Sequence, residues 1–161
     1  MAGRKVIVVT AVVALTILLV SVLANKAFAS VTKKKMQIRG TDNYGSGAFS
    51  ASRDGGTRSH NGIDLVTQTG DPIYSPISGT VIRIAIPYAN DSRYKGLLIE
   101  GGGYSVKLFY IVPTIAIGST VKAGQQVGIA QDLTVKYPGI TNHVHLEVYH
   151  NGELINPETL Y

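Results

Sequence analysis

The sequence predicts an all-β domain built from antiparallel strands. From residue 41 onward no segment carries apolar residues at helical spacing over three turns. The same stretch is a series of short runs rich in Val, Ile and Leu, cut by Gly, Pro and Asn. Two of the cuts, Gly101-Gly102-Gly103 and Asn151-Gly152, are strong hairpin signals, because a tight reversal needs residues that accept positive φ.

Taken in order, the chain begins with a leader. Arg4 and Lys5 precede an apolar run over residues 6–24, and Ala27-Phe28-Ala29 stands before Ser30. A basic start, an apolar stretch and a small-x-small site are the parts of an export signal. The run of 19 residues also just suffices to span a bilayer. Residues 1–29 are therefore expected as a signal peptide or an anchor helix, with the domain outside: periplasm, cell envelope or medium. Removal is the favoured outcome and a single-pass anchor the alternative. Lys26, Lys33, Lys34, Lys35 and Arg39 follow the run, which opposes insertion with the N-terminus inside. Residues 30–42 are expected as a basic tether.

Residues 41–58 are rich in Gly, Ser, Asp and Arg and read as an ordered surface loop. Residues 63–67 form a strand, 70–72 a turn and 73–75 a short extended piece. Residues 79–86 alternate as a strand does, and 87–95 are a polar loop. Strands over 96–100 and 104–112 flank the triple glycine. Residues 121–124 turn into a strand at 126–130. A loop over 134–142 carries Tyr137-Pro138-Gly139 and leads into a final long strand that ends at Asn151-Gly152.

Charge and composition narrow the function. The net charge of +5 misleads, because residues 1–40 hold seven basic side chains and no acid, whereas residues 41–161 hold eight basic and ten acidic ones. The folded part is slightly acidic, so nucleic-acid binding is not expected, and membrane contact is expected through residues 6–24 alone. No cysteine is present, which excludes a disulfide framework and a thiolate metal site. Export without disulfides points to a bacterial envelope. The length suits one domain and says nothing of oligomeric state.

Three of the four histidines fall in two stretches, Ser59-His60-Asn61-Gly62-Ile63-Asp64 and Asn142-His143-Val144-His145-Leu146-Glu147. In the second, alternation puts Val144, Leu146 and Val148 on an apolar face and His143, His145, Glu147 and Tyr149 on a wet polar face. In the first, His60 and Asp64 have helical spacing, but Gly62 and the β-branched neighbours argue against a helix. His60 is expected to end a loop and Asp64 to sit on the next strand. Two or three histidines with one aspartate, and no cysteine, suit a single zinc ion with an open position. Each pattern alone is weak, since a lone His-x-His is usually a surface strand. His150 lies at odd spacing from the other two and reads as a surface residue.

Five motifs then align with a known family. His60-Asn-Gly-Ile-Asp64, Gly70-Asp-Pro-Ile-Tyr-Ser-Pro-Ile-Ser-Gly79-Thr-Val, Val121-Lys-Ala-Gly-Gln-Gln-Val-Gly128, His143-Val-His145-Leu-Glu and Asn156-Pro157 occur in that order. Residues 43–161 resemble the M23 metallopeptidases, the lysostaphin-like group with the duplicated hybrid motif fold. Lys107-Leu-Phe-Tyr-Ile-Val-Pro113 and Tyr137-Pro-Gly-Ile-Thr-Asn-His resemble the leukocyte cell-derived chemotaxin 2-like branch. The resemblance implies an antiparallel β core under a loop-walled groove. It implies zinc on His60, Asp64 and His145, with His143 as a catalytic residue that does not bind metal. The substrate it implies is a peptide bond, typically in peptidoglycan.

One departure stands out. Active members carry a further histidine in a strand of the form Leu-Tyr-x-His, and here the run is Leu108-Phe109-Tyr110-Ile111. The histidine position falls on Ile111, or on Tyr110 in the neighbouring register. Neither is a neutral-pH base, although Tyr110 can donate to an oxyanion. The expectation is a zinc metalloendopeptidase, with a catalytically incomplete module that binds peptide, glycan or receptor as the alternative and an envelope scaffold as a third role. Glu147 either holds a ligand histidine or is a solvated strand residue. Arg58 either steers a substrate carboxylate or is solvated, and Tyr44 and Phe49 either line the groove or pin their loop.

Overall fold

The structure is a computed structural model that describes residues 28–161. The expected leader lies outside the described residues except for Phe28 and Ala29. Twelve strands follow: β1 (Ser52–Arg53), β2 (Arg58–Ser59), β3 (Ile63–Val66), β4 (Pro72–Tyr74), β5 (Gly79–Ala85), β6 (Gly96–Gly101), β7 (Tyr104–Phe109), β8 (Ile111–Pro113), β9 (Thr120–Val121), β10 (Gln126–Ala130), β11 (His143–His150) and β12 (Glu153–Ile155). The helical pieces among the described residues are two short 3-10 turns, at Asp54–Gly56 and Pro157–Leu160.

All the strand pairings are antiparallel. A large sheet runs β12-β11-β7-β6-β5-β9, with β3 also paired to β11, and a small sheet runs β4-β10-β8. β7 occupies one edge of β11, so β3 and β12 share the other edge end to end. The core lies between the sheets. Leu65, Leu97, Ile99, Val106, Leu108, Val144 and Leu146 from the large sheet meet Ile73, Ile111 and Val127 from the small one, all fully buried.

Local chemistry explains the reversals. Gly102 and Gly103, with φ of 59° and 82°, form a two-residue turn closed by the Gly101–Tyr104 pair. Asn151 and Gly152, at 51° and 87°, do the same for β11 and β12. Pairing in β5 skips Ile82, between Val81 and Arg83, and this bulge leaves Ile82 40% exposed inside an apolar run.

Two expectations need correction. Residues 104–112 are not one strand. The chain breaks at Tyr110, whose φ of 65° turns it out of the large sheet and into β8 of the small one. Residues 30–42 are not a free tether either. Val31 is fully buried and its carbonyl accepts from the Tyr74 N–H, while residues 37–39 bond along the outer edge of β3. Phe28 packs edge-on against Tyr104 and Tyr161, with ring centroids 5.0 and 6.0 Å away, and the Ala29 N–H donates to Pro76 O. Lys33, Lys34 and Lys35 are exposed, as their charge requires.

Gly62 is where the fold has least room. A Cβ there would overlap the Leu146 carbonyl and lie 2.9 Å from His145 Nε2. Gly62→Ala is therefore expected to lower stability by about 1–3 kcal/mol through backbone displacement. Urea unfolding of the metal-free protein checks this, and an unchanged midpoint would contradict it.

Candidate metal centre

Strand register builds the centre. His145 on β11 stands directly opposite Asp64 on β3, so the two side chains project from the same face of the sheet. His60 reaches the same point from the loop before β3. Its backbone is fixed on both sides, with its N–H donating to Ala51 O and its carbonyl accepting from the Ser50 N–H.

The three side chains present three atoms to one another. His60 Nε2 lies 2.9 Å from His145 Nδ1 and 3.1 Å from Asp64 Oδ1, and His145 Nδ1 lies 2.9 Å from Asp64 Oδ1. Their outer bonds fix which lone pairs point inward. His60 Nδ1–H donates to Ala48 O at 2.8 Å, since a carbonyl can only accept. His145 Nε2 faces Glu147 Oε1 at 3.4 Å, which favours a proton on that nitrogen. Three acceptor atoms therefore meet at a point that only a cation can make favourable. A tetrahedral zinc with bonds of about 2.0 Å would separate its ligand atoms by about 3.3 Å, close to this triangle. Two imidazoles and a carboxylate are also the donor types zinc takes, so the residues fit the ion.

Behind the donors, Asp64 divides its two oxygens. Oδ1 faces the histidines, while Oδ2 accepts from Arg39 Nη2 at 2.9 Å and Nε at 3.3 Å. Arg53 Nη2 lies 3.7 Å from the same oxygen. In the metal-free protein burial alone would raise the Asp64 pKa, but a proton taken up on His145 Nδ1 or His60 Nε2 in place of a metal donates to Oδ1 and holds the carboxyl well below the usual carboxylate range. Glu147 is buried yet pushed down to about 2, because His145 and then Lys107 offset its desolvation. Lys107 Nζ donates to Glu147 Oε2 at 2.8 Å, and Tyr149 Oη donates to the same oxygen at 2.9 Å.

His143 stands beside the triangle. Its Nδ1–H donates to Thr141 O at 2.8 Å, which leaves Nε2 as a lone pair 3.6 Å from Asp64 Oδ1. Burial, the largest influence, lowers its pKa and keeps the ring neutral near pH 7. The centre opens into a pocket of about 540 Å³, walled by the loops over residues 39–61, 86–88 and 133–143. These loops bury the face of β11 that alternation alone marks as wet: His143 and Glu147 are 4% and 8% exposed.

Ile111 points into the core with no exposure, and Tyr110 lines the pocket with its ring edge-on to His143, centroids 5.6 Å apart. Tyr44 lines the pocket, whereas Phe49 packs on the core. Arg58 reaches the pocket rim, paired with Asp54 at 2.9 Å, and His150 lies on the surface stacked on Tyr104. Arg39 is the residue that sequence reasoning missed. It sits among lysines, 25 residues before its partner, and no local pattern marks it.

The chain is similar to known proteins in family and fold. The profile described as peptidase family M23 matches residues 58–157. Leukocyte cell-derived chemotaxin-2 of Mus musculus is 36% identical over 139 residues, covering 82% of this chain and 90% of the relative. A zinc-containing peptidase from Vibrio cholerae is similar at 26% identity with a TM-score of 0.56, covering 80% of this chain but 38% of that one. Lysostaphin of Staphylococcus simulans, an antimicrobial peptidase, shares the fold at 19% identity with a TM-score of 0.57, over 83% of this chain and 53% of its own.

Two outcomes follow from the bonds behind the donors. Arg39→Ala should weaken zinc binding about 10- to 100-fold, with Arg39→Lys between it and the parent, in competition with a chromophoric chelator; equal affinities would sink the role given to Arg39. The second concerns acid. A carboxyl whose pKa falls on folding contributes stability above its unfolded pKa and loses it as pH drops through the folded one. In metal-free protein, Glu147→Gln should therefore remove part of the stability lost between about pH 4.5 and about pH 2, which urea midpoints across that window would reveal.

Proposed function

The chain belongs to peptidase family M23, and on that premise we propose that it is an exported, zinc-dependent domain that hydrolyses peptide bonds, with the peptides of peptidoglycan as its substrate class. The observation that carries this reading is the donor triangle of His60, Asp64 and His145, preset by outer hydrogen bonds and flanked by a neutral His143. Zinc held there would polarise a carbonyl oxygen and acidify water.

His143 does the proton work. Its Nδ1–H is committed to Thr141 O, so Nε2 is the free lone pair. That nitrogen takes a proton from the attacking water and passes it to the leaving amine, so hydroxide adds to the carbonyl carbon, the C–N bond breaks and His143 is restored. Arg39 holds Asp64 in place by occupying its outer oxygen. The pocket of about 540 Å³ leaves room for a stretch of peptide beside the donors. The basic and apolar leader supports delivery outside the cell.

A second reading has its own observation. The histidine of the family motif falls on Ile111 or Tyr110, of which Tyr110 alone lines the pocket, and burial helps to push its phenol up to about 12, so it cannot share base duty with His143. A zinc-holding module that binds peptide, glycan or receptor without cutting would have this composition, and the name of the Mus musculus relative, a chemotaxin, agrees with it.

The test uses residues 28–161 loaded with zinc, on purified peptidoglycan of several wall types, with mass spectrometry of released peptides. Hydrolysis is expected, and His143→Ala should cut its rate by about 10²–10⁴ while leaving one zinc per chain. No released peptide from the zinc-loaded parent would favour the binding module. A protein that folds without taking up zinc would remove both readings.

A further inference from the structure

Four tyrosines line the pocket: Tyr44, Tyr88, Tyr110 and Tyr137. The hydroxyls of three are joined. Tyr137 Oη–H donates to Tyr88 Oη at 3.0 Å, and Tyr88 Oη lies 2.8 Å from Tyr110 Oη. A hydroxyl has one proton and two lone pairs, and a chain that runs head to tail is strengthened by mutual polarisation. Either hydroxyl can give the proton shared by Tyr88 and Tyr110; in the head-to-tail order that polarisation favours, Tyr88 accepts from Tyr137 and donates to Tyr110. Tyr110 Oη then accepts from behind, and its own proton has no acceptor among the described residues.

That proton is also held in place. The Tyr110 backbone is fixed by its φ of 65° and by the Gln131 N–H, which donates to its carbonyl at 2.8 Å. The ring is wedged edge-on between Tyr94 and His143, at centroid distances of 6.3 and 5.6 Å. Tyr88 is anchored in turn by Lys136, whose Nζ sits 4.5 Å above its ring and bonds Asp91 at 3.0 Å. A half-buried donor with no partner, fixed in the wall of a pocket, is complementary to an acceptor that arrives with the ligand.

We propose that Tyr110 Oη donates a hydrogen bond to an oxygen of the ligand held at the metal centre, with Tyr88 and Tyr137 as positioning residues that aim it. This rests on the zinc reading given above. It sets the ligand class: a molecule with an acceptor oxygen next to its metal-binding atom, such as a peptide carbonyl, a carboxylate or a hydroxamate. Raised burial of the phenol keeps the proton on Tyr110 at neutral pH, as a donor requires.

Two small probes separate this role from a structural one. Acetohydroxamate chelates zinc through its two oxygens, each of which keeps a lone pair to accept; ethanethiol offers sulfur and no such oxygen. Titration calorimetry on the zinc-loaded protein should show acetohydroxamate weakened about tenfold by Tyr110→Phe and less by Tyr88→Phe, with ethanethiol unchanged by either. In the Tyr110→Phe background, adding Tyr88→Phe should have no further effect. Equal acetohydroxamate affinity in parent and Tyr110→Phe, equal weakening of both probes, or no acetohydroxamate binding to zinc-loaded parent would each overturn the proposal while leaving the zinc site standing. Failure to load zinc at one per chain would instead remove the reading beneath it, and the proposal with it.

Discussion

The pairing of β11 with β3 is the constraint on which the rest depends. It sets His145 opposite Asp64, and the same register sends Ile63, Leu65, Val144 and Leu146 into the core. A slip of one residue would exchange the two sets, placing imidazoles among the aliphatic side chains and leucines in the pocket. Core packing and site geometry are thus fixed by one set of hydrogen bonds. The arrangement also carries a cost, since it buries the carboxylate of Asp64 with 4% of its side chain exposed. Arg39 answers that cost from the outer side, with two donors on one oxygen and its own charge shared with Asp42 at 2.7 Å. An ionised group in such a place is tolerable when it is both paired and hydrogen-bonded.

Much of this was legible in the sequence because the relevant signals are local. Strict alternation over residues 143–149 marks β11, glycine at both positive-φ turns marks the hairpins, and Gly62 excludes a helix between His60 and Asp64. The Tyr110 break left a trace that is easy to overlook. Val106 and Leu108 keep one parity, whereas the next buried residue, Ile111, has the other, so the strand must turn between them. The dry state of His143 and Glu147 left none, because alternation reports a face and not what later covers it. Arg39 was illegible for a related reason. Its partner lies on another element, and only the path of residues 37–47 along β3 brings them together.

The scaffold recurs in proteins that are 19% to 36% identical to this one, and a shared fold leaves the chemistry to be argued from the site. One wall of the pocket is built from tyrosines. Tyrosines 88, 110 and 137 form a continuous run of hydroxyls, and the Tyr110 ring stands edge-on to His143. A phenol that stays protonated gives but does not take, so the two sides of the pocket have opposite proton habits. The imidazole accepts and the tyrosine wall donates. Such polarity would orient any ligand with distinct donor and acceptor ends.

The docking of Phe28 has a geometric consequence for where the domain can work. The apolar run of the sequence ends at Ala24, and the first of the described residues, Phe28, is packed into the fold. Four residues of fully extended chain span at most about 14 Å. A chain that keeps its leader in a bilayer would hold the domain flush with the lipid headgroups, able to swivel but unable to range outward. Its cleft would then sample a thin shell next to the membrane. A chain cut after Ala29 would gain the full depth of the envelope and lose the ring that sits against Tyr104 and Tyr161. If the leader is cut, the place of cleavage would thus set both the reach of the domain and the packing of its two termini.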